Sequence, residues 1–293
     1  MQRRIFRVSF MLLMGSFGFV VLSLGCGGTS AQPKRGLGSQ EDISYLGNAA
    51  TTAYAKEQCR LDVYYPTDKK NFATVVWFHG GGLKSGKRRG VIAKGFADRF
   101  TSEGHAVVLV SYRFSPKVKH PVYIEDAAAA VAWTIKNIGK MGGDPKKVFV
   151  SGHSAGGYLT AMVGLDEKYL AKHKLSTKDI AGLMPVAGQM VTHSTVRAER
   201  GIPKTRPIID EFAPCYHVRQ DAPPCICFAG DNDLPARMEE NLYFVAAMKA
   251  AKHQHVRCLV VAGRNHGTIA SKIPEEDDEV ARAMLKFMKQ IGG

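Results

Sequence analysis

Ser154 stands in Gly152-His153-Ser154-Ala155-Gly156-Gly157, directly after the apolar, β-branched run Val148-Phe149-Val150. A serine between glycines at the end of a strand is the sequence form of a nucleophile elbow, where the chain turns sharply from strand into helix. The turn exposes the hydroxyl and aims the backbone N–H behind it at the same spot. Side chains at 152 or 156 would collide with the neighbouring strand or with the helix that begins there. A serine hydroxyl is a poor nucleophile until a base takes its proton, and the chain supplies partners at later strand ends. Cys225-Ile226-Cys227-Phe228-Ala229 leads into Gly230-Asp231-Asn232-Asp233, and Cys258-Leu259-Val260-Val261 leads into Gly263-Arg264-Asn265-His266-Gly267. Loops at the carboxyl edge of a parallel sheet bring distant residues together. An imidazole, with an ordinary pKa of about 6.5, both takes and returns a proton near neutrality. Either Asp231 or Asp233 can hold such an imidazole in one tautomer.

The elements that must position these groups follow from pattern. Strand-like stretches occur at about 58–65, 73–79, 105–112, 147–151, 181–187, 224–229 and 256–262, and helical patterns at about 122–140, 155–165, 236–252 and 276–290. Apolar runs alternating with amphipathic segments predict an α/β domain with a mostly parallel sheet and helices on both faces. In 122–140, Ala127, Ala130, Val131, Ile135 and Ile138 recur at three- and four-residue steps, and Gly142-Gly143 stop the helix. At the end of the run 73–78 stands His79-Gly80-Gly81-Gly82. The following Gly81-Gly82-Leu83-Lys84-Ser85-Gly86-Lys87-Arg88 approaches a phosphate-binding loop, but Arg88 stands where a hydroxyl must hold magnesium. Nucleotide binding is therefore rejected.

From about residue 42 to its end the chain resembles the α/β-hydrolase superfamily, especially the small lipase and carboxylesterase branch that includes bacterial exported esterases. The resemblance is carried by His79–Gly82, similar to the HGGG oxyanion motif, and by the chain order serine, acid, histidine. Ser111-Tyr112-Arg113-Phe114-Ser115-Pro116, Glu125-Asp126-Ala127, Gly143-Asp144-Pro145 and Ala222-Pro223-Pro224 support it. It implies a mostly parallel central sheet with helices on both faces. It also implies Ser154 as nucleophile, His266 as base, and an oxyanion hole of the backbone N–H groups of Gly81, Gly82 and Ala155. Family spacing, a glycine, two residues and then the acid, selects Asp233 over Asp231, which would instead shape the turn. His79 would brace the oxyanion loop and His153 simply flank the nucleophile. Insertions between the strands ending near Val186 and starting near Pro224 form caps in this fold. The short one here predicts a small cap, an open cleft, and small or medium acyl groups.

The implied activity is that of a serine carboxylesterase, with glycan deacetylation as one specific form, acting without metal or organic cofactor. Alternatives are an arylformamidase or amidase on the same triad, and a non-catalytic binding domain. The last sits poorly with a chain that keeps both Ser154 and His266.

Arg3, Arg4 and Arg7 precede an apolar run from Val8 to Leu24 and then small residues, so residues 1–31 read as an export signal. Cys26 stands in a lipobox-like Leu22-Ser23-Leu24-Gly25-Cys26; cleavage after Ala31 and an uncleaved anchor are the other two readings. All three place the protein outside a bacterial cytoplasm, in the periplasm or at the cell surface. Residues 32–41 read as a polar tether and 42–293 as the catalytic domain. Cys59, Cys215, Cys225, Cys227 and Cys258 read as small buried apolar residues, and Cys225-x-Cys227 lacks the second pair or histidines of a zinc site.

The formal charge is +14, and losing residues 1–31 would remove three arginines and leave +11. Such a field favours anionic partners. Lys84, Lys87, Arg88 and Arg89, just after the glycines, are candidates to select anionic esters, against the plainer reading of a solvated loop. The expected partner is thus a small-molecule or glycan ester, with no nucleic acid, and with membrane contact only through the N-terminal lipid or anchor. The oligomeric state is not legible.

Overall fold

The computed structural model describes residues 36–203 and 205–293; residues 1–31, read as an export signal, with Cys26, and the first residues read as tether lie outside them. In chain order the elements are β1 (Leu37–Ser44), α1 (Ala53–Gln58), β2 (Arg60–Pro66), β3 (Phe72–Phe78), α2 (Val91–Ser102) and β4 (Ala106–Val110). There follow α3 (Val122–Asn137), β5 (Gly143–His153), α4 (Ala155–Leu165), α5 (Glu167–Ala171), β6 (Gly182–Val186) and α6 (Ser194–Glu199). The chain closes with β7 (Cys225–Asn232), α7 (Arg237–Ala250), β8 (Val256–Asn265), α8 (Thr268–Ser271) and α9 (Glu279–Gly292).

The strands make one 8-stranded sheet in the order β1-β2-β4-β3-β5-β6-β7-β8. Pairing is antiparallel from β1 to β2 and from β2 to β4, and parallel from β4 through to β8. Strand periodicity of two divides the core. Along β3, Ala73, Val75 and Trp77 face one layer with Phe96 and Phe100 of α2 and Val280, Met284 and Phe287 of α9. Phe72, Val76 and Phe78 face the other, with residues of α3, α4 and α7. Of the two tryptophans, Trp77 stacks on Phe96 with ring centroids 4.1 Å apart in the first layer, and Trp133 packs against the second. The fold is thus the mostly parallel sheet covered on both faces that the pattern predicts.

The domain begins earlier than expected. Residues 37–41, read as tether, are part of β1. The segment Leu-Gly-Ser-Gln-Glu-Asp-Ile-Ser has none of its residues fully buried. As an edge strand it is held by backbone bonds to β2 and needs no alternating apolar face. Helix α3 ends at Asn137 in a short 3₁₀ turn over Ile138–Met141, closed by Gly142 at φ +96°. Between β6 and β7 the cap consists of α6 and a 3₁₀ turn at Pro214–His217.

Candidate active site

Ser154 joins β5 to α4 with φ 57° and ψ −114°, a backbone state rarely held by a non-glycine residue outside functional turns. The contacts around it explain its neighbours. A Cβ on Gly152 would lie 2.6 Å from the Phe78 carbonyl oxygen, and one on Gly156 would lie 2.0 Å from the same atom. β3 and α4 therefore approach at backbone distance, and every residue of α4 is buried. The Ser154 N–H donates to Val186 O at 2.8 Å, which fixes the elbow to β6.

His266 follows β8 in a turn built by Asn265, whose Oδ1 accepts from Gly267 N–H at 3.0 Å and Thr268 N–H at 2.9 Å. The turn brings His266 Nε2 to 2.8 Å from Ser154 Oγ and Nδ1 to 2.6 Å from Asp233 Oδ1. In the neutral resting state Nδ1–H donates to the carboxylate and Nε2 accepts the serine proton. The Asp233 side chain is buried. Burial opposes its charge, but the hydrogen bonds from His266 and from Leu234 N–H outweigh that, and its pKa lies below the ordinary carboxylate value. Asp231 is exposed and bonded to the Asn232 amide at 3.0 Å; it does not meet the histidine and serves the turn.

His153 does more than flank the nucleophile. Its Nε2–H donates to the His266 carbonyl at 2.7 Å, and the two rings lie 4.8 Å apart. Burial, then the neighbouring His266, push its pKa down to about 4, so it remains a neutral brace. This contact spans residues on β5 and after β8, and sequence alone carries no sign of it.

The loop His79–Gly82 has each successive carbonyl secured. Tyr112 Oη donates to His79 O at 2.8 Å and stacks on the His79 ring. The His79 Nδ1–H donates to Gly80 O at 2.7 Å, and burial pushes the His79 pKa down to about 4. Gly81 O accepts from Lys84 N–H at 3.0 Å and Ser85 N–H at 3.1 Å. Gly82 O accepts from Thr195 Oγ1 at 2.6 Å. In a trans peptide the N–H points opposite the carbonyl. The N–H groups of Gly81 and Gly82 therefore point away from these partners, and neither donates to a protein group among the described residues. Ala155 N–H opens α4, where helix geometry leaves it without an intrahelical acceptor. Gly81, at φ +116°, admits no side chain, since a Cβ would sit 2.0 Å from Ser85 O.

The basic loop after the glycines is largely committed to structure. Arg89 grips the fully buried Asp62 of β2 with Nε at 2.7 Å and Nη2 at 3.0 Å, and pairs with Glu41 of β1. Arg88 pairs with Asp42 at 2.7 Å and reaches Asp62 at 3.0 Å. Burial opposes the Asp62 charge, but the bonds from Arg89, from Asp42 N–H and from Arg88 hold its pKa below normal. Arg88 and Arg89, two of the four candidates for selecting anionic esters, are thus engaged in ion pairs with β1 and β2. Lys84 and Lys87 remain exposed. Among the described residues no group of three or more His, Cys, Asp or Glu is placed to hold a metal ion. Cys225 and Cys227 are buried in β7 with their sulfurs 3.8 Å apart.

Fold and site together define an α/β-hydrolase fold with a serine in the elbow. Residues 61–181 match the family model described as BD-FAE. The chain is 28% identical over 229 residues to Esterase LipC of Mycobacterium tuberculosis, an alignment covering 71% of this chain and 56% of that protein. It is 30% identical over 167 residues to Carboxylesterase NlhH of the same organism, covering 53% of this chain and 48% of that one. It therefore spans about half the length of the curated relatives it matches. Among solved structures it is similar to a truncated form of a carbohydrate esterase from gut microbiota, with TM-score 0.70, 18% identity, and coverage of 87% of this chain and 96% of that one. It is also similar to esterase Est2 of Thermogutta terrifontis, with TM-score 0.65, 21% identity, and coverage of 87% and 91%. These last two likenesses concern the fold.

Proposed function

We propose that the protein is a serine carboxylesterase. The observation that carries this reading is the continuous path Ser154 Oγ, His266, Asp233, with steps of 2.8 and 2.6 Å; the Gly81 and Gly82 N–H groups, which donate to no protein group among the described residues, support it as oxyanion donors. As Oγ attacks the ester carbonyl carbon, Nε2 takes its proton, and Asp233 stabilises the imidazolium. The carbonyl oxygen gains the negative charge and is met by the N–H groups of Gly81, Gly82 and Ala155. The tetrahedral adduct then breaks its C–O bond to the alcohol, which leaves with the proton from Nε2, and the acyl group stays on Ser154. Water repeats the sequence, releasing the acid and restoring the serine.

The small cap supports small or medium acyl groups, and relatives named as esterases support the bond type. Arg3, Arg4 and Arg7 before the apolar run support export, with Cys26 as the candidate lipid site. The deciding experiment is hydrolysis of a p-nitrophenyl acyl series and of acetylated xylan by the protein and its Ser154→Ala variant. At least about a thousandfold loss is expected in the variant; equal rates would discard the mechanism.

A further inference from the structure

Beside the nucleophile lies a cavity of about 370 Å³ that is lined by none of Ser154, His266 and Asp233. Its wall is largely apolar, formed by Trp77 at the end of β3 and by Val91, Ile92 and Ala93 in the first turn of α2, with Lys87 as the charged residue on its lining. Gly80 and His153 form the side towards the triad. A Cβ on Gly80 would stand 3.2 Å from His153 Nδ1 and 3.3 Å from Ser154 Cβ, so cavity and nucleophile share that wall. His79 also lines the space, and its Nε2 is buried without a hydrogen-bond partner. Because Nδ1–H is spent on Gly80 O, Nε2 is left as a lone acceptor. Val91 is 91% exposed and borders the cavity from the solvent side.

We infer that this cavity receives the alcohol half of the ester, and that it takes an apolar, ring-sized group; the inference rests on the carboxylesterase reading. The leaving oxygen must reach His266 Nε2 to be protonated, and the cavity borders the His153 ring that packs on His266. The volume is at the small end of ligand sites. The lining's polar groups, on Trp77, His79, Lys87 and His153, are too few to replace the water around every hydroxyl of a hydroxyl-rich alcohol.

The test compares kcat/KM of the full chain for benzyl and methyl acetate, whose leaving alcohols are similarly basic, in the wild type and in Val91→Asp and Gly90→Leu. Val91 is exposed, and a Cβ on Gly90 meets nothing closer than Lys87 O at 3.4 Å, so both variants are compatible with the fold. The wild type should prefer the benzyl ester by about tenfold or more, and each variant should erase most of that preference. A benzyl-to-methyl ratio that neither variant moves overturns the assignment. So do variants that shift the acyl-length profile of benzyl esters and leave the alcohol preference intact. Absence of turnover on every ester in the wild type would instead remove the carboxylesterase reading itself.

Discussion

Thr195 of the cap helix donates a 2.6 Å hydrogen bond to the carbonyl of Gly82, across 113 residues of chain. Gly82 has no side chain to hold it and sits at φ +62°, so its orientation depends on what grips its two peptides. Lys84 and Ser85 grip the first, through Gly81 O, and Thr195 the second. The cap is secured in turn: Thr195 N–H donates to His193 Nδ1 at 3.1 Å, and Arg237 and Asn241 of α7 hold the carbonyls of Ala187 and Gly188. Thr195→Val should lower kcat by about tenfold with little change in KM, part of the effect of losing an oxyanion donor. Thr195→Ser should restore most of it. Equal loss in both variants would mark the hydroxyl as irrelevant and the effect as packing.

Asp233 and Asp231 separate cleanly. Asp233→Asn should cost on the order of a thousandfold or more in kcat by disturbing the His266 tautomer, while Asp231→Asn, at an exposed turn, should stay within about twofold of the wild type. Steady-state kinetics decide, and the reverse ranking would reassign the acid.

Asp62 ties β2 to the oxyanion loop through Arg88 and Arg89. Asp62→Ala leaves the partly buried Arg88 with only Asp42 and should destabilise by about 2–4 kcal/mol in urea unfolding. Arg89→Ala should cost less, because Arg88 remains with the carboxylate. A loss below about 0.5 kcal/mol in Asp62→Ala would show that the pairing is ornamental.

Acid should weaken the fold before it protonates the paired carboxylates. Burial is the main cause that pushes His79, His120 and His153 down to about 4 and His193 to about 3. Each folded value lies below the unfolded one, so between the two the unfolded chain binds more protons. Their contribution is complete above about pH 6.5 and is lost as pH falls towards 4. Asp62 and Asp233, with lowered values, lose theirs only below the ordinary carboxylate range. Unfolding free energy should drop by at least about 3 kcal/mol between pH 7 and pH 4. A flat profile across that window would contradict burial of neutral imidazoles.

Elements whose residues are buried wrote themselves into the sequence. The helix α4 runs from Ala155 to Leu165, the limits its apolar run predicts, and the seven apolar strands read from pattern all lie in the sheet. Others did not, α2 among them despite its buried Phe96 and Phe100. β1 is an exposed edge strand secured by backbone bonds. In α2, Gly95 interrupts the helical pattern, yet it is there because a Cβ would sit 2.5 Å from the Pro274 ring. The site divides the same way. Ser154, His266 and the glycines are legible as types at strand ends, and Asp233 through its spacing. The brace from His153 to His266 O, the clamp from Thr195 to Gly82 O, and the use of Arg88 and Arg89 depend on partners that only folding brings near.

The two indoles on opposite faces of the sheet give the molecule a pair of built-in lamps. Trp77 reports on the α2 and α9 side and forms part of the cavity wall, whereas Trp133 reports on the α3 side. With one silenced at a time, emission colour and quenching would show whether the two layers of the core come apart together, and would register a guest arriving at one face without disturbance from the other.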